Sequence, residues 1–557
     1  MAFLIETFEP IIEGAITLAN FNETFNELTL EERRKVVDQA IVMIESIYVH
    51  LPQKKAIYAI DPVQNLKNLR RQLHVLTERE FHSEMIKIFK QLRDRHTNYF
   101  LPAPYNKFSA FLPFLMKEYY DADNERHYIV TDLTDGVNHE TFVIGVEITD
   151  WNGVPIDQAV ALNAEREDGS NKAARHVRGL DAMTVRPMLK FLPPDEHWVI
   201  IGYRSNNQNY KIQIPWQVKE FIPDVCINPP VTEQFVADYG IDLTLDLTNS
   251  IRKTLFARNT TELIKKTADY KNNTNNKESE VFFKSNSRYP CTFQFRTIET
   301  SQGELGYLRI WSFMDPEPEP FLYEVIRILE LLPQKGLIID VRRNGGGYIS
   351  NGERMLQLFS SNRVDAERMH FINKEITLAI ANSDFNDGNY NKWAKSIELS
   401  TVTGSVYSLG LPLESPDLTN SIGRRYKGDT VLITDASCYS TTDIFIAGFQ
   451  DNNIGKILGV DDNTGAGGAS VVTHEHLKDI LFKSDFPLQK LPNDIKMRVA
   501  LLQSRRVGDN TGLPLEDLGT QPDVIHRMTR DDVLHDNRDL IAAAAKLLLQ
   551  SSVQIYS

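Results

Sequence analysis

Between Gly303 and Gln503, short unbroken apolar runs alternate with helical stretches. The runs are GLIIDV (Gly336–Val341), TVLIT (Thr430–Thr434), KILGV (Lys456–Val460) and RVALLQ (Arg498–Gln503). None shows the apolar-polar alternation of a strand with one side in water. Runs of this kind belong in a sheet covered on both faces, and Tyr323–Leu332 and Thr442–Asp451 carry the helical patterns that could cover it. GELGYLRIWSF (Gly303–Phe313) reads as one more strand. The expected C-terminal unit is therefore α/β, over residues 296–557.

At 557 residues the chain is too long for a single core. Residues 1–110 read as a helical region. Thr77 and Glu80 have capping-box spacing, and Phe81, Met85, Ile88, Phe89 and Leu92 then fall on one helical face. That helix ends near Arg93, which puts His96 on the following loop. Residues 111–216 turn to short β-rich runs: His127–Thr131, Phe142–Ile148 and Trp198–Tyr203. Within them Gly145–Val160 reads strand, Asn152-Gly153 turn, helix start, an order similar to that of a PDZ domain. Residues 217–295 form an insertion or linker, with an amphipathic stretch from Thr248 to Asp269 and a polar, low-complexity loop, Lys271–Glu280.

Charge narrows the partners. Lys and Arg total 61 against 75 Asp and Glu, a net charge of -14. Such a surface repels nucleic-acid backbones and anionic lipid. No run reaches the roughly 18 apolar residues of a membrane span. Glu6, Glu9 and Glu13 interrupt the apolar N-terminus, which has no basic start, so a signal peptide is not expected. The expected location is cytoplasmic, with unconventional secretion left open. The three cysteines, Cys226, Cys291 and Cys438, lie far apart and suggest neither a disulfide framework nor a zinc site.

Four local features could carry chemistry. Ser440 stands where a strand gives way to a helix, in a position to be a nucleophile beside free N–H groups or simply a helix cap with Asp443. Cys438, two residues earlier, is a rival nucleophile, although a small buried residue is its commoner role. Gly345, Gly346 and Gly347 follow the run GLIIDV and could bring backbone N–H groups to an anion; no phosphate-loop pattern accompanies them. His96 is a candidate base, and Glu516 or its neighbour Asp517 a candidate acid. By default each of these is a surface loop residue.

Together these segments resemble the C-terminal-processing (tail-specific) serine peptidases. LIIDVRRNGGG resembles that family's strand-and-glycine motif, and Ser440–Gly468 its nucleophile segment. LRDRHTNYF (Leu92–Phe100) resembles the D-x-H-T segment of the members with a triad, and Met528–Leu549 the closing segment. The similarity runs from about Gly303 to Leu549, and more weakly through the earlier parts.

The resemblance implies a crotonase-like spiral catalytic domain, preceded by the helical region and the PDZ-like domain. Many members use a lysine 25 residues after the serine, but here that position is Gly465. The chain is thus similar to the Ser-His-Glu branch, typified by the chlamydial protease-like activity factor. That branch implies Ser440 as nucleophile, His96 as base, Glu516 as acid, and an oxyanion hole from Thr441 with Gly345 or Gly346. Lys456, in a strand interior, has little weight as a base. No metal or cofactor is implied. The implied partners are protein or peptide substrates, with homo-oligomerisation left open. Two alternatives stand beside this: a non-proteolytic binding module for a peptide or hydrophobic ligand, and a latent enzyme activated by cleavage of the insertion. A site assembled from distant segments could also be gated by domain motion.

Overall fold

The computed structural model describes residues 6–7, 12–21, 25–220, 243–256, 283–285, 288–289, 292–301, 303–384 and 388–551. The polar loop Lys271–Glu280 lies outside them, as do Cys226 and Cys291.

The helical region comprises Leu30–Val42, Leu51–Tyr58, Pro62–Gln72 and Glu78–Lys90, with one wide turn at Met43–Ile47. The Thr77–Glu80 box forms as expected: Thr77 Oγ1 accepts the Glu80 N–H, and the Glu80 carboxylate accepts the Thr77 N–H. Phe81, Met85, Ile88, Phe89 and Leu92 are all buried.

An antiparallel sheet follows, formed by Phe114–Tyr120, Arg126–Leu133, Glu147–Trp151, Trp198–Ser205 and Gln208–Pro215, with Glu6–Thr7 added in parallel at one edge. Asn152 (φ 51°) and Gly153 (φ 81°) make the expected tight turn, which leads through Val154–Pro155 into the helix Ile156–Ala164. Of the run Phe142–Ile148, only Glu147 and Ile148 are strand. A smaller sheet orders Ile16–Thr17, Gln217–Glu220, Phe108–Phe111 and Val185–Pro187. Within the insertion lies the helix Leu243–Phe256, whose Ile251 and Leu255 pack with Phe111, Leu115 and Val185.

The C-terminal sheet has seven strands in the order Phe283–Lys284, Phe293–Thr300, Gly303–Ile310, Gly336–Asp340, Asp429–Thr434, Lys456–Gly459, Val524–Ile525. It is parallel from Gly303–Ile310 onward. Its unbroken apolar runs are explained by burial on both faces. Leu337, Ile339 and Leu432 join a core beneath the helices Pro318–Leu331 and Thr441–Asp451, whereas Ile338, Val431 and Ile433 join one beneath Arg538–Ser551.

RVALLQ departs from expectation. It lies in Lys496–Arg505, in a separate antiparallel sheet with Arg368–Phe371 and Ala469–Thr473. Asn98–Phe100 pairs with the start of the same strand, so the segment just after His96 is stitched to the C-terminal unit by Lys496–Phe100 and Arg498–Asn98 register pairs. One apolar core runs from the N-terminal helices through the PDZ-like sheet to Val499–Leu502. This continuity argues against the hinge between the His- and Ser-bearing parts that distance in sequence suggested.

Candidate active site

Ser440 sits at a sharp junction between the strand Asp429–Thr434 and the helix Thr441–Asp451. Its backbone has φ 58° and ψ -127°, a region costly for any residue with a side chain, at roughly 1–3 kcal/mol. Its side chain makes no capping hydrogen bond, so the helix-cap role is not the one it plays. Asp443 closes no box with it. Instead Asp443 accepts the Gly467 N–H at 2.8 Å. A serine held in a strained strand-to-helix turn without capping is the arrangement of a nucleophile elbow.

The glycine loop meets this junction directly. Gly346 has φ +111°, and a Cβ there would lie 2.6 Å from Ser440 Cβ and 3.1 Å from the Thr441 nitrogen. Only glycine lets the loop backbone come so close. Asn344 fastens the two segments: its carbonyl accepts the Tyr439 N–H (3.1 Å), its Oδ1 accepts the Gly346 N–H (2.9 Å), and its Nδ2 donates to the Ile310 carbonyl (3.2 Å). Asp435 adds a second clamp by accepting the Arg343, Ser437 and Cys438 N–H groups. The Gly346 N–H is therefore engaged, which corrects its place in the expected oxyanion pair. Among the described residues, the Gly345 and Thr441 N–H groups have no protein acceptor.

His96 is buried, not on the surface. Asp94 shapes its loop by accepting the His96 N–H (2.7 Å) and the Thr97 hydroxyl (3.1 Å). The loop then docks on Tyr439, the residue before Ser440. The Arg95 N–H donates to the Tyr439 hydroxyl at 3.1 Å, and the His96 and Tyr439 rings lie 4.6 Å apart. Tyr439 thus links the His96 loop to the Ser440 junction. Sequence reasoning passed over it because an aromatic residue there reads as ordinary core.

Glu516 is also fully buried. Its Oε1 accepts from Lys54 Nζ at 2.6 Å, while no protein group bonds its Oε2. Asp517 is occupied by Lys54 (2.6 Å), Gln53 (2.8 Å) and Tyr58 (2.8 Å), which separates two residues that spacing alone could not. Glu516, Asp94 and His50 each bring one ligand-type atom within 4.8 Å of the others, so Glu516 lies next to the carboxylate that holds the His96 loop. The Lys54 ammonium supplies positive charge to this cluster. Burial pushes the Glu516 carboxyl well above its ordinary value; Lys54 opposes the rise, and Asp94 and Asp517 add to it. Burial acts on Asp94 in the same sense, yet His50, Lys54 and His96 outweigh it and hold Asp94 below the usual carboxylate value. Burial lowers His50 to about 4, leaving it neutral.

The rival groups drop out. Cys438 donates to the Val341 carbonyl, and burial raises its thiol far above the ordinary range. Lys456 reaches outward to Asp523 with most of its side chain exposed. At Gly465 a Cβ would lie 2.4 Å from the Cys438 carbonyl oxygen and 3.0 Å from the Tyr439 ring, so no lysine fits there. The loop around it is held by the Gly465 N–H to the Cys438 carbonyl and by Ser170 and Asn171 of the PDZ-like part.

Residues 304–523 match the model of peptidase family S41, and residues 108–225 match a PDZ domain. The chain is a serine-type peptidase with an S41-like segment. Ser440 and the glycine loop both fall within the S41 match, and His96 lies before it. The chain is similar in fold to mature CPAF, with TM-score 0.64 and 15% identity over 93% of this chain and 97% of that one. Mature CPAF complexed with lactacystin matches with TM-score 0.61 at 15% identity, over 93% and 98%. No curated protein matches by sequence. No helix among the described residues is long and apolar enough to cross a membrane. As a peptidase, the protein has protein or peptide substrates.

Proposed function

We propose that this serine-type peptidase is an endopeptidase working through an acyl-enzyme, with Ser440 as nucleophile, His96 as general base and Glu516 as the acid that supports it. The strained, uncapped Ser440 packed against Gly346 is the observation that carries this reading. Ser440 Oγ attacks the substrate carbonyl as His96 takes its proton. His96 then protonates the leaving amine, and water releases the acyl group by the same steps in reverse. Glu516, next to the Asp94 that holds the His96 loop, balances the charge of the imidazolium. The Thr441 and Gly345 N–H groups receive the oxyanion, and the loss of one such donor costs about 10²–10³ in rate. No step calls for a metal.

A serine-directed fluorophosphonate, followed by mapping of the adduct, tests the assignment. The expected result is a single adduct on Ser440, lost in Ser440→Ala and strongly slowed in His96→Ala and Glu516→Gln. An adduct on Cys438, or labelling untouched by His96→Ala, would overturn it.

A further inference from the structure

We propose that Lys54 is a positioning residue for the triad acid: it grips one carboxylate oxygen of Glu516, leaves the other for His96, and opposes protonation of the group. The proposal rests on the triad reading above. Lys54 comes from the N-terminal helix Leu51–Tyr58 and is completely buried. Its three ammonium hydrogens match three acceptors: Glu516 Oε1 at 2.6 Å, Asp517 Oδ1 at 2.6 Å and the Arg93 carbonyl at 3.3 Å. An ammonium so fully engaged has one position, and it fixes Glu516 Oε1 with it. Oε2 is then the free, buried acceptor.

Charge makes the same point. Three carboxyl groups, Asp94, Glu516 and Asp517, surround Lys54, and the neutral His50 ring and the Tyr58 hydroxyl complete its surroundings. The Tyr48 hydroxyl also acts on Asp94, and Arg505 is a further cation felt at His50. Without the ammonium the three acids face one another, and the cluster takes up a proton. Glu516, with its unbonded oxygen and complete burial, is the acid that receives it. A protonated Glu516 offers His96 no negative charge when the imidazolium forms. A lysine that merely tied the helix to the 516–517 turn would affect folding but leave the chemistry of each folded molecule unchanged.

The test uses the full chain and a fluorogenic peptide, with active sites counted by fluorophosphonate titration. Lys54→Met removes both the grip and the charge. Lys54→Gln retains N–H donors and removes the charge, which keeps the question open to measurement if the methionine variant does not fold. Both are expected to lose ~10–100-fold in kcat per titrated site, less than the roughly 10⁴ lost when a triad acid is neutralised, with KM within about threefold. The acid limb of kcat/KM should move up by about 1–3 pH units, as loss of a neighbouring opposite charge does to a carboxyl. Adding Lys54→Gln to Glu516→Gln should cost little more, since the two act as one unit. Wild-type kcat per site with an unmoved acid limb, or full additivity in the double variant, would overturn the proposal. Wild-type kcat in Glu516→Gln would instead sink the triad reading itself.

Discussion

The proposed nucleophile half and the proposed base half of this site are built by opposite means. Around Ser440 the backbone does the work: a positive φ, glycines packed to contact, and Asn344 fastening one loop to another. Around His96 and Glu516 the work is done by charge: Asp94, Lys54, Glu516 and Asp517 share a buried cluster. Burial raises the Glu516 carboxyl well above its ordinary value even in the charged half, so the two halves differ at Asp94. Asp94 is held below the usual carboxylate value by its neighbours. In the nucleophile half burial raises Asp443 to about 7 and Glu353 to about 8. The first half should be brittle toward added atoms, and the second toward changes of charge.

Gly346→Ala is the strongest way to break that contrast. Its methyl would meet Ser440 Cβ at 2.6 Å from a backbone at φ +111°. Displacing the nucleophile by a fraction of an ångström should cost about 10²–10³ in kcat/KM, with a fall in thermal midpoint as well. A variant that crystallised unchanged with wild-type activity would show that the loop does not set the serine's position. Asp94→Asn adds no atoms and removes a charge, so it should leave Ser440 in place. We expect a ~10–100-fold loss in kcat, since the amide can still accept the His96 N–H at 2.7 Å but no longer carries charge beside the ring. A drop in kcat equal to that of Gly346→Ala, together with disorder at Ser440, would erase the distinction between the halves.

The same contrast explains what could be read from the sequence. The buried sheet was legible because apolar runs report burial on both faces, and Thr77–Glu80 reported a helix start that forms as expected. The strand-to-helix junction at Ser440 and the glycine turn after the run Gly336–Val341 were legible because their motifs are local. RVALLQ was misplaced because an apolar run does not say which sheet it joins; its partners Asn98–Phe100 lie some four hundred residues earlier. Lys54 carried no local signal at all: on its own helix it is one of two adjacent lysines, and only the approach of Glu516 gives it a role. Gly346 was offered as an oxyanion donor because sequence cannot show that Asn344, two residues before it, takes its N–H.

The gentlest test concerns Glu353, on the helix Ile349–Leu356 that follows the glycine loop. The next-door Gly352 packs on Thr441, and neither Glu353 carboxyl oxygen has a protein bond partner. Burial, then the nearby Glu414, raises its value from 4.5 to about 8. Because the folded-state value lies above the unfolded one, the folded protein holds a proton that the unfolded chain releases between these limits. Stability from this group is therefore full below about pH 4.5 and is lost as pH rises toward 8. Glu353→Gln keeps the shape and removes the titration. Denaturant midpoints should show the variant and wild type closely matched near pH 5, and the variant ahead by on the order of a few kcal/mol at pH 8.5. Activity per titrated site should change less than about twofold, because Glu353 touches neither His96 nor Glu516. An equal stability difference at both pH values would mean that Glu353 is ionised throughout. The nucleophile half would then rest on buried charge just as the base half does.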